Sequence, residues 1–350
     1  MKFELDKIAR KSLARVKPYS TARDEFKGVA SVFLDANENP FPSDFNRYPD
    51  PNQEKLKLAI AKLKEIAVDQ ILLGNGSDEV IDLLFRALCE PGIDNVVIPQ
   101  PTYGMYSVCA TINDIEIRQP QLTTDFQLDL SAINKEIDSH TKLIFLCSPN
   151  NPSGNLLLQK DILQLLESFN GLIIVDEAYI DFSDSAGLLT QLNKFPNLVV
   201  LQTFSKAWGL AGLRLGVGYA SPEVIGLLQR IKPPYNISSL TQIIALAALE
   251  NTSIKNEQVE SITKEREYME DKLGRFSFVD KVYPSDANFI LTQVNDAQQC
   301  YDHLLQQGII VRNRSSVVKC DNCLRITIGT KEENIKLIEA LTQYEKSIIY

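Results

Sequence analysis

Between about Asn75 and Tyr219, short apolar runs alternate with amphipathic stretches. The runs are Asn95–Ile98, Lys142–Cys147, Gly171–Val175, Asn197–Leu201 and Leu213–Tyr219. Apolar runs without period-two alternation suit strands covered on both faces, so the pattern predicts a mostly parallel sheet of an α/β fold. The stretch opening near Ser77 carries Val80, Leu83, Leu84, Ala87 and Leu88 on one stripe at helical spacing, which predicts a helix with a single buried face.

After about Ser221 the chain turns helical. Glu250–Lys272 is polar and charged, as a long connecting helix would be. Beyond it, strands (Asn288–Gln293, Gly308–Arg312 and Cys323–Ile328) mix with helices that end in Glu332–Ser347. This reads as a second, α+β lobe, which the N-terminal segment is expected to complete.

Composition narrows the classes. The 350 residues are enough to bury about three quarters of the unfolded surface, in one large core and a smaller one. A net charge of −9 argues against a nucleic-acid or anionic-membrane partner, both of which reward positive charge. No stretch approaches the roughly 20 apolar residues of a membrane span, and Met1 to Ala30 lacks a signal-like run, so a cytoplasmic protein is expected. His140 and His303, the two histidines, have no supporting motif, which argues against a Ser-His-Asp or histidine-rich metal mechanism. Cys320-x-x-Cys323 has metal-ligand spacing but no second pair, so the six cysteines are read as reduced core residues and no metal is expected.

The chemistry centres on Lys206. Between Asn197 and Tyr219 the only charged residues are Lys206 and Arg214, in an otherwise apolar, glycine-rich segment, so both are expected to be partly buried and to need partners. A desolvated lysine suits Schiff-base chemistry. The effect is large, because an unshifted lysine at neutral pH lies about 4 kcal/mol from its neutral amine. Asp176 ends an apolar strand, where an open α/β sheet places its binding crevice, and could pair with a pyridinium nitrogen; helix capping is the plainer alternative. Gly74-Asn-Gly-Ser-Asp-Glu79 runs into the amphipathic helix and offers backbone N–H groups to a phosphate, provided that Asp78 and Glu79 point away. No G-x-G-x-x-G opens a βαβ unit, which argues against a nicotinamide enzyme.

Taken in order, Gly76-Ser77-Asp78, Pro101-Thr-Tyr103, Asn150-Asn-Pro152, Asp176-Glu-Ala-Tyr179 and Ser205-Lys206 through Arg214 resemble the fold type I aminotransferases. That resemblance implies a large domain with a mostly parallel seven-stranded sheet, a smaller α+β domain and pyridoxal 5'-phosphate as cofactor. It implies that Lys206 holds the cofactor and shuttles the proton, and that Asp176 pairs with the ring nitrogen. Tyr179 and Asn151 would serve the phenolic oxygen and Tyr103 would stack on the ring. Gly76, Ser77, Asp78, Thr203, Ser205 and Arg214 would surround the phosphate. The expected division is an N-terminal segment 1–45 serving the small domain and dimer contacts, a cofactor-binding domain 46–265 and a small domain 266–350.

The flanks are similar to histidinol-phosphate aminotransferases, through Lys17-Pro-Tyr19, Ala22-Arg23, Leu34-Asp-Ala-Asn37-Glu-Asn39, Arg47-Tyr-Pro-Asp-Pro51, Tyr103-Gly-Met-Tyr106 and Cys323-Leu-Arg-Ile-Thr-Ile-Gly-Thr330. The family exchanges an amino group between histidinol phosphate and 2-oxoglutarate, giving imidazole acetol phosphate and glutamate. Its resemblance implies substrate contacts from Tyr19, Arg23, Asn37, Arg312 and Arg325, and a homodimer in which Tyr48 reaches the neighbouring cofactor phosphate. Arg314, in the loop between Arg312 and Arg325, leaves open which arginine meets the substrate anion. An aromatic amino-acid aminotransferase or a threonine-phosphate decarboxylase on the same frame would keep Lys206, Asp176 and Arg214.

Overall fold

The apolar runs between Ile71 and Tyr219 form one seven-stranded sheet, in a computed structural model that describes residues 3–17, 26, 28 and 30–349. In chain order the strands are β1 (Ile71–Asn75), β2 (Asn95–Val97), β3 (Glu116–Arg118), β4 (Thr141–Cys147), β5 (Leu172–Asp176), β6 (Leu198–Thr203) and β7 (Leu215–Tyr219). They lie in the order β1-β7-β6-β5-β4-β2-β3. Strands β2 to β6 pair in parallel, whereas β7 runs antiparallel to both β1 and β6. The mostly parallel sheet is as expected; the reversal of β7 was not legible, because a doubly covered apolar run reads the same in either direction. β1 had no predicted counterpart, and neither did β3, an edge strand whose polar ends Glu116 and Arg118 hide the run.

The helices are α1 (Leu5–Ile8), α2 (Glu54–Lys64), α3 (Gly76–Leu88), α4 (Met105–Ile112), α5 (Leu130–Glu136), α6 (Gln159–Ser168), α7 (Pro222–Gln229), α8 (Ser239–Glu250), α9 (Thr252–Leu273), α10 (Ala297–Gln306) and α11 (Lys331–Ile349). Side chains alternate across the sheet. Ile144, Leu146, Ile173, Val175, Leu198 and Val200 meet α2, α5, α6 and α8, through residues such as Leu56, Ile133, Ile162 and Ala245. Leu143, Phe145, Leu172, Ile174, Val199 and Leu201 meet α3, α4 and α7. The predicted stripe of α3, Val80, Leu83, Leu84, Ala87 and Leu88, is buried in full. Each of its larger side chains contributes about 2 kcal/mol to holding the helix on the sheet.

The second lobe is a four-stranded antiparallel sheet, in the order β10-β11-β9-β8, made of β8 (Val279–Val282), β9 (Phe289–Val294), β10 (Arg312–Asn313) and β11 (Cys323–Thr327). Met269 and Leu273 of α9 join α10 and α11 on this sheet's core. The strand predicted over Gly308–Arg312 shrinks to Arg312–Asn313. Ile309 and Val311 still pack on the core while Ile310 is 82% exposed, so the alternation is real but most of the segment forms no ladder.

Two structural features bear on the expected division into domains. The boundary placed after residue 265 falls inside the single helix α9. Near the N-terminus, Ile8 and Leu13 pack with α3 and α7 of the large sheet, and Arg10 donates its backbone N–H to Ala87 O at 2.9 Å. The two helices leave an apolar surface beside Ala87 that these two side chains cover.

The start of α3 is pressed directly onto β7. A Cβ added at Gly216 would stand 2.1 Å from Ser77 N and 2.3 Å from the Gly76 carbonyl carbon. Gly216→Ala is therefore expected to lower stability by about 3 kcal/mol, read as a lower denaturation midpoint; an unchanged midpoint would mean that α3 can slide off β7.

Candidate active site

Strands β4, β5, β6 and, through two antiparallel steps, β1 all end at the same edge of the sheet, where crevices form in open α/β folds. A cleft of about 160 Å³ opens there. Gly76, Ser77, Asp78, Tyr103, Asp176, Tyr179, Thr203, Ser205, Lys206 and Arg214, each singled out in the sequence, line it together with Cys147, Ala178 and Ala211. The last three carry no chemical signal in the sequence, so only the fold reveals them.

One end of the cleft is the N-terminus of α3. Gly76 donates its N–H to Arg214 O at 2.7 Å and has φ +74°, and a Cβ there would meet Arg214 Nη2 at 2.6 Å. Glycine thus makes room for the guanidinium beside the helix start. Arg214 is itself left-handed, φ 53° and ψ 49°, an uncommon state for a residue with a side chain. Glu79 turns away as expected, its Oε2 accepting from Asn75 N at 2.6 Å and from Asn236 Nδ2 at 2.8 Å. Asp78 does not: it lines the cleft, accepting from Tyr103 OH at 3.2 Å and lying 3.6 Å from Arg214 Nη2. Those two partners hold it there.

Lys206 and Arg214 were expected to be partly buried, and Arg214 is half-covered, its side chain 52% exposed; the segment that carries both rims the cleft instead of entering the core. Even so, crowding by the cleft walls holds the Lys206 ammonium below the ordinary lysine range; the Arg325 guanidinium adds to this, while Asp176 and Asp78 oppose it. Its Nζ stands 5.5 Å from the centre of the Tyr179 ring. Asp176 is 3% exposed, and burial pushes its carboxyl up to about 6 against hydrogen bonds from Tyr106 OH and Ala178 N.

The side wall is built around Asn151. Its Nδ2 donates to Tyr179 OH at 3.4 Å, and its Oδ1 accepts from Arg325 Nη1 at 2.5 Å and from Arg314 Nη2 at 3.5 Å. The Arg325 guanidinium also lies 5.2 Å above the Phe289 ring. Among the described residues Arg314 and Arg325 have no acidic partner within ion-pair distance, and Arg314 Nε is buried without a hydrogen-bond partner. Arg312 is exposed and makes no contact with Asn151. Arg312 is the cross-strand partner of Arg325, whereas Arg314 and Arg325 share the Asn151 amide oxygen.

The model of the family "Aminotransferase class I and II" matches residues 24–341. The chain belongs to that family. It is similar to the histidinol-phosphate aminotransferases of Cytophaga hutchinsonii (50% identical, covering 98% of this chain and 100% of the relative) and Christiangramia forsetii (54% identical, covering 98% and 99%). Among solved structures, the histidinol-phosphate aminotransferase of Sinorhizobium meliloti in complex with pyridoxal-5'-phosphate shares the fold, with a TM-score of 0.80 at 23% identity over 89% of this chain and 90% of that one.

The remaining residues expected of this aminotransferase lie apart from the cleft or outside the description. Tyr48, 51% exposed, stacks on Tyr235 at 4.4 Å and lines a second hollow together with Asn37, Arg47 and Leu240. Tyr19 and Arg23 lie outside the described residues.

Glu177, beside Asp176, was missed because two adjacent acids at a strand end look alike in sequence. It faces the opposite way, into the core, where it accepts from Leu188 N at 2.6 Å and Gln202 Nε2 at 3.0 Å. Burial pushes it up to about 7 from an ordinary 4.5. A folded state that binds this proton more tightly than the unfolded chain is favoured below pH 4.5 and loses that advantage as pH rises through 7. Asp176 acts in the same direction between pH 3.8 and about 6. Glu177→Gln, which keeps an acceptor for Leu188, is expected to shrink the fall in stability over this window by about 3 kcal/mol at most. Denaturation midpoints across the window check this, and an undiminished fall would place the proton elsewhere.

Proposed function

We propose that this chain is a histidinol-phosphate aminotransferase, transferring an amino group between L-histidinol phosphate and 2-oxoglutarate in histidine biosynthesis, with pyridoxal 5'-phosphate as cofactor. The observation that carries the substrate reading is the pair Arg314 and Arg325, two guanidinium groups without acidic partners among the described residues, which meet at Asn151 beside Tyr179 of the cleft that holds Lys206 and Asp176. Two partly buried cations without a counter-charge among the described residues call for an anion, and one site must take a phosphate monoester in one half-reaction and a dicarboxylate in the other.

The residues fit the cofactor. Gly76 leaves a gap that any Cβ would fill, at a helix N-terminus beside Arg214 and the hydroxyls of Ser77, Thr203 and Ser205, which suits a phosphate dianion. Asp176 offers a buried carboxylate to a cationic ring nitrogen, Tyr103 a ring to stack, and Tyr179 with Asn151 a hydrogen-bonding pair for the phenolic oxygen. When bound, pyridoxal phosphate supplies the carbonyl that takes up the amino group and the electron sink that stabilises the deprotonated carbon. Lys206 supplies the amine that holds the cofactor, and crowding by the cleft walls lowers its proton affinity, which favours the neutral amine that takes and returns the substrate proton. Arg325 and Arg314 orient the substrate anion, while Tyr179 stays protonated, pushed up by burial, and donates its hydrogen bond.

Three further features belong to this reading. The active unit is a homodimer in which Tyr48 reaches the partner's cofactor phosphate, supported by the exposed apolar side chains Phe41, Phe45, Leu240 and Ile243. The division into segment 1–45, domain 46–265 and domain 266–350 describes the roles of the parts, with α9 spanning the last boundary. The enzyme works in the cytoplasm; among the described residues no helix is long and apolar enough to cross a membrane.

The deciding experiment is the absorption spectrum of the purified protein before and after histidinol phosphate is added. A band near the visible edge that shifts on addition is expected; a band that answers only to phenylalanine or threonine phosphate would discard the substrate. Lys206→Ala should abolish turnover and the shift while the fold, checked by circular dichroism, is kept. Arg325→Ala and Arg314→Ala should each raise KM for both anionic substrates by about tenfold or more, whereas Arg312→Ala should change KM little. The reverse order would return the anion contact to Arg312.

A further inference from the structure

The Asp176 carboxylate is held from two sides by groups of this chain. Oδ1 accepts from the backbone N–H of Ala178 at 3.0 Å, and Oδ2 accepts from the Tyr106 phenol at 2.7 Å. Tyr106 does not line the cleft and has no exposed surface. Its ring stacks on Phe145 at 4.9 Å, Phe145 stacks on Phe85 at 5.1 Å, and the edge of Tyr103 closes the group at 5.5 Å. Phe85 belongs to α3 and Phe145 to β4, so the phenol is clamped between helix and sheet. It cannot swing away from the carboxylate without repacking a dense interior.

Facing an ionised carboxylate, a phenol can only donate, and a donor in a water-free site is worth far more than one in solvent. We propose that Tyr106 is a positioning residue for the cofactor: its hydroxyl fixes the Asp176 carboxylate in the one orientation that pairs with a cationic ring nitrogen. The Ala178 N–H restrains one oxygen alone, so removing that hydroxyl takes the donor from the other. The spacing also explains the local sequence. Tyr103 and Tyr106 lie three apart at the start of α4, so one turn of chain delivers a ring to the cleft and a hydroxyl to the carboxylate behind it.

The inference rests on the assignment of Asp176 to the ring nitrogen but not on the identity of the substrate, so its test is a double-mutant cycle read by cofactor binding. Full-length parent, Tyr106→Phe, Asp176→Asn and the double variant are stripped of cofactor and titrated with pyridoxal phosphate. Tyr106→Phe keeps the ring in its stack and removes one oxygen. It is expected to weaken binding by about tenfold or more, the scale of one hydrogen bond to a charged group, and to lower kcat while KM for histidinol phosphate stays within about twofold. The double variant is expected to bind no more weakly than Asp176→Asn alone. Tyr106→Phe binding within about twofold of the parent, with Asp176→Asn impaired, would overturn the proposal by itself. So would losses that add in the double variant, since the hydroxyl would then act through packing. Unchanged binding in Asp176→Asn would overturn it together with the role given to Asp176, and a parent that binds no cofactor would fail the functional reading first.

Discussion

No side chain separates the first turn of α3 from β7, and the cleft depends on that closeness. Gly216 leaves no room for a methyl group above Ser77 N, and Gly76 leaves room only for the Arg214 guanidinium. The Gly76 N–H bonded to Arg214 O then locks helix start and strand start together. Helix amides, a cation and the ends of the parallel strands are thereby brought to one edge. Arg214 adopts a left-handed backbone to do this, at a cost of about 1 kcal/mol. The buried stripe of α3 on the sheet offsets that cost several times over.

Charge follows the same geometry. The chain is acidic as a whole, at −9, yet Lys206, Arg214, Arg314 and Arg325 gather around the cleft. Two acids temper them there, Asp78 beside Arg214 and Asp176 beneath the lysine's field, while Glu177 turns its back and anchors the core. The local surplus is positive, which suits a phosphorylated cofactor and anionic substrates that the net charge alone would repel.

The second lobe is tied into the wall of the cleft. Tyr179 meets Phe289 edge-on at 5.0 Å, and Ala207 shares their cluster with Ala287. Arg266 Nη1, on α9, donates to Phe182 O at 3.1 Å and to Ala287 O at 2.8 Å, stitching loops of both lobes. Arg325, on β11, therefore reaches Asn151 from the second lobe while Lys206 comes from the first. The separation between the Lys206 amine and the Arg325 guanidinium is therefore set by how the lobes pack.

Much of this was legible along the chain because the signals are local. Apolar runs gave β2, β4, β5, β6 and β7, helical spacing gave α3, and position at a strand end marked Asp176 and the approach to Lys206. Edge strands β3 and β8 were hidden by the polar residues that keep such edges soluble. The burial of Lys206 and Arg214 is only partial because an apolar segment can rim a cleft as readily as fill a core. By itself the sequence determined the α/β class, the elements that carry the site and the residue types at their ends, since periodicity and capping act over a few positions. Only the tertiary structure decided that Arg314 stands beside Arg325 at Asn151, that Tyr106 meets Asp176 from 70 positions away, and that Glu177 faces the core. Those contacts depend on strand order and lobe packing, which no local pattern encodes.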